Sequence, residues 1–356
     1  MEKEVVIVIN PGSTSTKVAF YNREGELISK SISHPQNELV KFDKIADQLE
    51  YRYAHIKPFI SKYLSSSNYK VIGVVGRGGI VKPIKGGTYR INKEFIDDAR
   101  SGHYGEHASN LGSLLVNQLK DEFGLANSYT VDPVSTTNIS SIAEITGVPD
   151  FRRDGRAHTL NIKITARKIA SQQGIPFEES SYVIAHLGGG ISISLIAGGK
   201  IIDVNDGLLG MGPFTPNRSG ALPLRAVMKL CYNKPENEVI KLLTQNSGFK
   251  AYLGTEDVRE VLKMVESGNK KAELIYNAFI YQISKNIGAY YAASKCKAHG
   301  IVVTGGIAFS DKVINDLKEY IGSLTEFYTY PGENELEALA EGIFRVIDKH
   351  EDALEY

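Results

Sequence analysis

Short apolar runs separated by polar turns dominate the start of the chain. Val5–Ile9 is continuously apolar, residues 10–16 are polar, and Lys17–Tyr21 is again largely apolar. A second turn at 22–25 leads into a third run, 26–33. Runs of this length bounded by Gly, Pro, Asn and Ser are typical of β-strands, so the chain is expected to begin with a three-stranded antiparallel unit.

A similar pattern returns in the second half, over residues 182–204: strand, Gly-rich turn, strand, Gly-rich turn, strand. Aligning Asn10 with His186 places Gly12 on Gly188, and Gly25 then falls on Gly199 after a turn two residues shorter. Hairpins are common, but a shared three-strand layout with a Gly-rich first turn predicts a duplicated α/β domain.

The segments between and after these units show helical periodicity or short β-rich runs. Three further strands are expected, at Val71–Val75, Tyr129–Val131 and Ile301–Val303. No low-complexity linker separates the halves, so two domains in one compact protein are predicted: residues 1–155 with the terminal helix 335–356, and residues 156–334. The predicted helices cover 42–64, 105–123, 239–243, 258–267, 271–297, a stretch from Asp311, and 335–350.

Composition narrows the function classes. The chain has 356 residues, 42% of them hydrophobic, and Lys plus Arg equals Asp plus Glu at 41 each. Without a basic excess it is not expected to bind nucleic acid, and its apolar runs are too short to span a membrane. Cys231 and Cys296 are isolated, which fits a reducing compartment. A cytoplasmic enzyme is therefore expected.

The first turn carries candidate chemistry. Gly12 permits a tight turn with uncovered N–H groups, and nearby hydroxyls and a lysine supply donors to an anion. The alternative is an ordinary hairpin tip, because Asn, Pro, Gly and Ser favour turns in any case. Donor side chains this dense favour phosphate binding, although the Walker A spacing is absent. The residues are Asn10, Gly12, Ser13, Ser15 and Lys17.

Two later glycine motifs occupy comparable positions. His186 precedes Gly188-Gly189-Gly190, and three glycines in succession weaken a strand, so a second phosphate contact is predicted, with a structural bulge as the alternative. Thr304-Gly305-Gly306 joins a β-run to a helix and fits either a nucleotide contact or a tight βα turn.

Two arginines lie in glycine-rich loops. Arg77 is flanked by Gly76 and Gly78, and Arg218 follows a Gly/Pro-rich stretch. A planar fork of donors suits a carboxylate or a phosphoryl group. Solvated surface arginines are the alternative.

His103 and His107 form a His-x-x-Glu-His sequence that matches a zinc-protease signature. Gly105 lies within it and Gly102 precedes it, which is a poor setting for a ligand helix, and no third ligand stands out. A zinc site is not expected.

Together these motifs resemble the acetokinase family, within it most closely butyrate kinase and branched-chain carboxylate kinases, over almost the full length. Phe214-Thr215-Pro216 with Asn217–Gly220 resembles the family's second signature, and residues 304–308 its adenosine motif. The resemblance implies an α/β fold of two ribonuclease-H-like domains, as in sugar kinases, actin and Hsp70, and a homo-oligomer.

The resemblance also implies roles for individual residues. Catalytic roles fall to Arg77, Asp132, His158 and Arg218, and His107 joins the substrate pocket. Glu335 and Asp132 are implied in Mg²⁺ binding. The implied phosphate and nucleotide contacts are Asn10, Gly12, Ser13, Ser15, Lys17, His186, Gly188, Gly189, Gly190, Asp257, Arg259, Gly305 and Gly306.

The implied reaction converts ATP and a short-chain carboxylate into ADP and an acyl phosphate. A carboxylate is ionised at neutral pH and needs no general base, so the demand on the protein is electrostatic. Closure of the two halves is expected to exclude water. A sugar kinase, with Asp132 as its base, and an ATPase switch of the actin or Hsp70 type are the alternatives.

Overall fold

The computed structural model describes residues 3–66, 68–136 and 139–356. The chain divides into two compact units, Met1–Thr137 with Asn334–Tyr356, and Asn138–Glu333. The strands are β1 (Lys3–Pro11), β2 (Ser15–Asn22), β3 (Gly25–Ser33), β4 (Tyr69–Gly76), β5 (Thr88–Arg90), β6 (Tyr129–Val131), β7 (Ser181–Leu187), β8 (Ile191–Ala197), β9 (Lys200–Val204), β10 (Gly300–Gly305) and β11 (Phe327–Pro331).

Helices flank both sheets. They are α1 (Gln36–Leu39), α2 (Leu49–Ser65), α3 (Lys93–Ser101), α4 (Asn110–Glu122), α5 (Ser141–Glu144), α6 (Thr159–Gln173), α7 (Leu224–Asn233), α8 (Glu236–Gln245), α9 (Gly248–Leu253), α10 (Val258–Glu266), α11 (Lys270–Ala293), α12 (Asp311–Ile321) and α13 (Glu335–Ile347). Among the helices described, none is long and apolar enough to cross a membrane.

The first unit is a six-stranded sheet in the order β3-β2-β1-β4-β6-β5. β1, β2 and β3 pair antiparallel, whereas β4 and β6 run parallel to β1. Val5–Ile9 has no exposed surface, and its alternate members Val5, Ile7 and Ile9 share a core with α2 and α4. The last helix, α13, packs on β1, β4 and β6. Because helices cover both faces of β1, its residues are continuously apolar rather than alternately apolar and polar.

The second unit is a five-stranded sheet in the order β11-β10-β7-β8-β9. β7, β8 and β9 pair antiparallel, and β10 and β11 run parallel to β7. β10 is buried along its whole length. Helix α11 packs on β7 and β8, and α6 packs on β7 and β10.

Five strands of the two sheets share one topology: a three-strand antiparallel meander followed by two strands parallel to its first member, to which the first sheet adds antiparallel β5 at its edge. They also share a detail of register. The pairing shifts between Phe20 and Tyr21 in β2 and between Leu195 and Ile196 in β8, in each case just before the strand ends. The predicted duplicated α/β fold is thus confirmed. One aligned pair differs, because Ala197 and Lys200 close the second hairpin, so Lys200 rather than Gly199 corresponds to Gly25.

Candidate active site

In each unit the parallel strands end at the same edge of the sheet. In the first unit, Asn10 lies at the end of β1, Arg77 directly follows β4 and Asp132 directly follows β6. In the second, His186 lies at the end of β7 and Gly306 directly follows β10. Ligands bind at this edge in open α/β sheets, so the topology places these predicted residues at two candidate sites.

The first turn is held by a buried arginine that the sequence analysis missed. Arg52 of α2 is 1% exposed. Its Nη1 donates to the carbonyl oxygens of Gly12 (2.8 Å) and Ser15 (3.1 Å), and its Nη2 donates to that of Ser13 (3.0 Å). Ser13 and Lys17 are exposed. Arg52 therefore fixes the backbone of the turn from the buried side, through its carbonyl groups.

Glu335, the first residue of α13, joins two predicted residues. Its Oε2 accepts from Asn10 Nδ2 at 2.8 Å and from Arg77 Nη1 at 2.6 Å. His107 lies in the same electrostatic environment. Burial lowers the pKa of His107, the Arg77 guanidinium lowers it further, and Glu335 opposes this shift. Its Nδ1 is 2.6 Å from Ser109 Oγ.

The loop carrying Arg77 is packed too tightly for side chains. A Cβ on Gly76 or on Gly112 of α4 would collide with the backbone of Gly112 or of Arg77 respectively, and one on Gly78 would lie 2.6 Å from Thr130 Oγ1. The Arg77 amide donates to Ile9 O at 2.9 Å. These glycines thus allow close backbone packing, which fixes the position of the Arg77 backbone from which its side chain extends.

Asp132 adopts a left-handed conformation, with φ of 40°, and is 6% exposed. It pairs twice with Gly87: its amide donates to Gly87 O at 3.0 Å, and its Oδ1 accepts from Gly87 N at 2.9 Å. A strained, buried carboxylate after a parallel strand fits a functional position, since such strain clusters at active sites.

In the second unit the rings of His158 and His186 stack at 3.9 Å, with 13° between their planes. Ser192 Oγ lies 2.9 Å from His158 Nδ1, and Asn161 Nδ2 lies 2.8 Å from His186 Nδ1. The Asn161 amide also donates to Thr304 Oγ1 at 3.1 Å. Each histidine is therefore fixed at Nδ1.

Arg218 lies against the second Gly-rich turn. A Cβ on Gly190 would lie 2.7 Å from Arg218 Nη1 and 3.2 Å from His158 Cε1. Arg218 Nη1 donates to Gly207 O, and Arg218 Nε is buried with no acceptor among the described residues. Burial lowers the pKa of Arg218, and nearby Asp206 opposes this shift. The absence of a side chain at Gly190 makes room for both groups.

A cavity of about 880 Å³ in the second unit brings together predicted nucleotide contacts. Its lining includes Gly188 and Gly189 of the turn, Gly306, and the ion pair Asp257–Arg259. In that pair the nitrogens lie as close as 2.6 Å to the carboxylate, and the hydrogen bonds from Arg259 lower the pKa of Asp257 to about 2. Its other lining residues are Pro216, Glu256, Val258, Leu262, Lys263, Glu266, Ile307, Phe309, Ser310 and Glu333.

One predicted nucleotide contact lies apart from these groups. Gly305 does not line the cavity. Its φ is 90°, and a Cβ there would collide with the Leu187 backbone, so a glycine is needed here for close packing of the strands.

His103 and His107 lie on a segment without helix, so the two cannot share one face of a ligand helix as the zinc signature requires. Arg52, Asn161 and Ser192 were missed because a buried polar residue inside a helix or strand carries no local motif.

The fold is the one that two-domain acetate kinases share with sugar kinases, actin and Hsp70. The solved structure of acetate kinase from Porphyromonas gingivalis superposes with a TM-score of 0.75 at 17% identity, covering 96% of this chain and 99% of that one. A family model for the acetokinase family matches residues 143–334.

Curated relatives match over nearly the whole chain. A "Probable butyrate kinase" of Clostridium botulinum is 39% identical over 356 residues, covering 99% of both chains. "Butyrate kinase 2" of Clostridium acetobutylicum is also 39% identical over 356 residues, again covering 99% of both. The chain belongs to the acetokinase family, as its sequence motifs predicted.

Proposed function

We propose that the protein is an ATP-dependent carboxylate kinase that converts butyrate or a branched-chain analogue into its acyl phosphate. Family membership supports the reaction class, and the names of its full-length relatives support the acceptor. Free, exposed Cys231 and Cys296 fit a cytoplasmic site of action. A homo-oligomer is part of the same proposal and rests on the family resemblance.

The observation that carries the proposal is the position of Arg218. Its side chain is half-buried beside His158 against Gly190, with Nε fully buried, and no carboxylate among the described residues lies within ion-pair distance of it. Removing part of a cation from water without such a partner is costly unless an anion binds there. A planar guanidinium matches carboxylate and phosphoryl oxygens. Charge stabilisation of this kind is the main demand of phosphoryl transfer.

The nucleotide is assigned to the cavity of the second unit. Its volume of about 880 Å³ is of the order that a nucleotide requires. Gly188 and Gly189 offer backbone to phosphates, whereas Val258, Leu262 and Ile307 offer apolar surface to a base. The Asp257–Arg259 pair is assigned to the adenosine end.

Mg²⁺ is assigned to the first unit, and the donor set there fits it. Both hydrogen bonds to Glu335 fall on Oε2, which leaves Oε1 of this half-buried residue as a candidate oxygen ligand, and Asp132 offers a buried carboxylate. Mg²⁺ is commonly held by one or two carboxylates together with substrate phosphates and water. When bound, it would neutralise phosphate charge. Asn10 and Arg77 would keep the Glu335 carboxylate in position.

The chemistry requires no proton transfer at the nucleophile. A carboxylate oxygen forms a bond to the γ-phosphorus of ATP, the bond from that phosphorus to the bridging oxygen breaks, and ADP leaves. We assign Arg218 to the equatorial oxygens of the phosphoryl group and Arg77 to the carboxylate. His158, oriented by Ser192 and by the stacked ring of His186, would donate a hydrogen bond to the phosphoryl group.

A coupled assay of ADP release tests the proposal. Acetate, propionate, butyrate, isobutyrate, a hexose panel and a sample with no acceptor are compared at equal ATP and Mg²⁺. Hydroxamate trapping then detects acyl phosphate. The highest kcat/KM is expected with butyrate or isobutyrate, with trapped product. A sugar kinase would turn over a hexose without trapped product, and an ATPase would turn over ATP without an acceptor.

A further inference from the structure

Arg52 is a buried cation whose hydrogen bonds go to neutral groups. Gln48 Oε1 accepts from Nε at 3.0 Å and from Nη2 at 2.9 Å. Nη1 also lies 3.2 Å from Thr16 Oγ1, in addition to its bonds to the Gly12 and Ser15 carbonyl oxygens. Buried arginines are normally paired with a carboxylate. Within the described part of the chain, no carboxylate lies within ion-pair distance of this one.

The carbonyl groups of the first turn are all engaged from within the protein. Arg52 binds those of Gly12, Ser13 and Ser15, and the amide of His34 donates to Thr14 O at 2.7 Å. By contrast, the amides of Ser13 and Thr14 donate to no acceptor among the described residues. A turn whose carbonyls are bound within the protein keeps successive backbone amides available for an anion, as an anion-binding nest requires.

The charge of Arg52 persists at neutral pH. Burial lowers its pKa to about 10, which is still well above 7. The positive charge therefore lies directly behind a turn that offers N–H groups. In a site of low dielectric such a charge acts more strongly on a bound anion than it would in water.

We propose that Arg52 is a positioning residue for phosphate: it fixes the carbonyls of the first turn so that the Ser13 and Thr14 amides face the phosphates, and it places a buried positive charge behind them. This role rests on the proposed function, because the phosphates are those of ATP. Arg52 touches no substrate and acts through the turn.

Two variants separate geometry from charge. Arg52→Gln removes both the charge and most of the hydrogen bonds. Gln48→Glu preserves an acceptor of the same size at the same position but neutralises the charge of Arg52. The matched control is Ile56→Val, on the same helix and fully buried in the core of the first unit. It changes packing without touching the turn.

Arg52→Gln is expected to lower kcat/KM for ATP by about 10²-fold, because the turn loses its geometry. Gln48→Glu is expected to lower it by about tenfold through charge alone, with no decrease in unfolding temperature. In both variants KM for the carboxylate should change less than about twofold. Ile56→Val should lower the unfolding temperature and leave both KM values unchanged.

ADP binding, measured by calorimetry without a carboxylate, keeps this test distinct from that of the proposed reaction. Weaker ADP binding in Gln48→Glu supports the role of Arg52 even if the wild-type enzyme phosphorylates no carboxylate. Wild-type ADP affinity and kcat/KM in folded Gln48→Glu would overturn the role of its charge. If Arg52→Gln does not fold, the ADP affinity and kcat/KM of Gln48→Glu decide whether Arg52 has the proposed role.

Discussion

The two Gly-rich turns occupy the same position in two sheets of the same topology, yet different interactions hold them. In the first unit, residues 12–15 are fixed through their backbone carbonyls by Arg52 and His34. A backbone hydrogen bond closes each turn, Gly12 N to Ser15 O at 2.7 Å and Gly188 N to Gly190 O at 3.0 Å, but only the second turn has Arg218 and His158 packed against its last glycine.

This difference shows how a duplicated scaffold can acquire two distinct tasks. The first turn keeps hydroxyl side chains and is anchored by a cation behind it. The second turn consists of three glycines, and the space at Gly190 is filled by an arginine and a histidine. We infer that both turns present backbone to phosphate and that the second, at Gly190, also makes room for side chains that act on the transferring group.

The largest effect on activity is expected for a substitution of Arg218, which packs on the second turn and has no counterpart at the first among the described residues. Arg218→Ala is expected to lower kcat by about 10²- to 10³-fold while ATP binding stays nearly intact, because the lost interaction acts mainly on transition-state charge. Steady-state kinetics and ADP calorimetry measure the two effects. A wild-type kcat in this variant would contradict the proposed role of Arg218 in the active site.

Asp132→Asn tests the metal role in the first unit. Asn keeps an oxygen to accept from Gly87 N but loses the charge, so the fold should be preserved. We expect kcat to fall by about 10²-fold, with a higher Mg²⁺ concentration needed for half-maximal rate.

The contrary outcome for Asp132 is specific. If Asp132 acted as a general base, kcat/KM of the wild-type enzyme would fall at low pH as this carboxylate became protonated, and Asp132→Asn would lack that decrease. The Mg²⁺ dependence of the two enzymes would then be the same. Profiles at saturating and limiting Mg²⁺ separate these cases. A change confined to the pH profile would favour a kinase that phosphorylates hydroxyl groups.

Neighbouring glycines of the second turn provide an internal comparison. Gly190→Ala should lower kcat by about tenfold or more, because its Cβ would displace Arg218 and His158. Gly189→Ala has no heavy atom within 4 Å of its Cβ, so kcat should stay near wild type. It lines the cavity, and a modest rise in KM for ATP is expected. Equal kcat values would contradict our account of why Gly190 lacks a side chain.

The smallest effect on activity is expected at His34, beside the first turn. Burial lowers the pKa of this histidine to about 4, and the charges of Arg52 and His55 add to that shift. The unfolded chain then takes up the proton first as pH falls below 6.5. The free energy of unfolding should therefore drop by about 3 kcal/mol between pH 7 and 4.

His34→Gln should flatten this dependence, whereas the matched change at exposed His103 should not. Urea unfolding at pH 7, 5.5 and 4.5 measures it, and kcat at pH 7 should change less than about twofold. An unchanged slope in His34→Gln would show that His34 is not the group responsible.

Much of the fold was predictable because local patterns decide it. The apolar run Val5–Ile9 and its counterpart at 182–185 gave the duplicated meander. Helix α2 begins at Leu49, not at 42 as predicted, because a short 3-10 turn at Ile45–Gln48 precedes it. Strand β11 and helix α6 were missed: β11 is partly exposed and short, and the moderate amphipathic pattern of α6 follows an irregular loop.

The site was predictable where glycines, turns and family motifs mark it. Arg77, Glu335 and Asn10 are brought together, as are Arg218, His158 and Gly190. The supporting residues were not found, since Arg52 lies inside an ordinary helical pattern and its partners are backbone carbonyls some 40 residues away in sequence. Only the tertiary structure reveals such a contact.

The position of Glu335 has a consequence for synthesis on the ribosome. Asn10 and Arg77 are translated early, but their shared partner opens a helix that emerges only after the entire second unit. At typical elongation rates this delay is on the order of tens of seconds. During that time the nascent first unit lacks α13, and the faces of β1, β4 and β6 that it covers stay open to chaperones. A chain released before Glu335 would carry Arg77 without its carboxylate partner and without the helix that covers β1, β4 and β6.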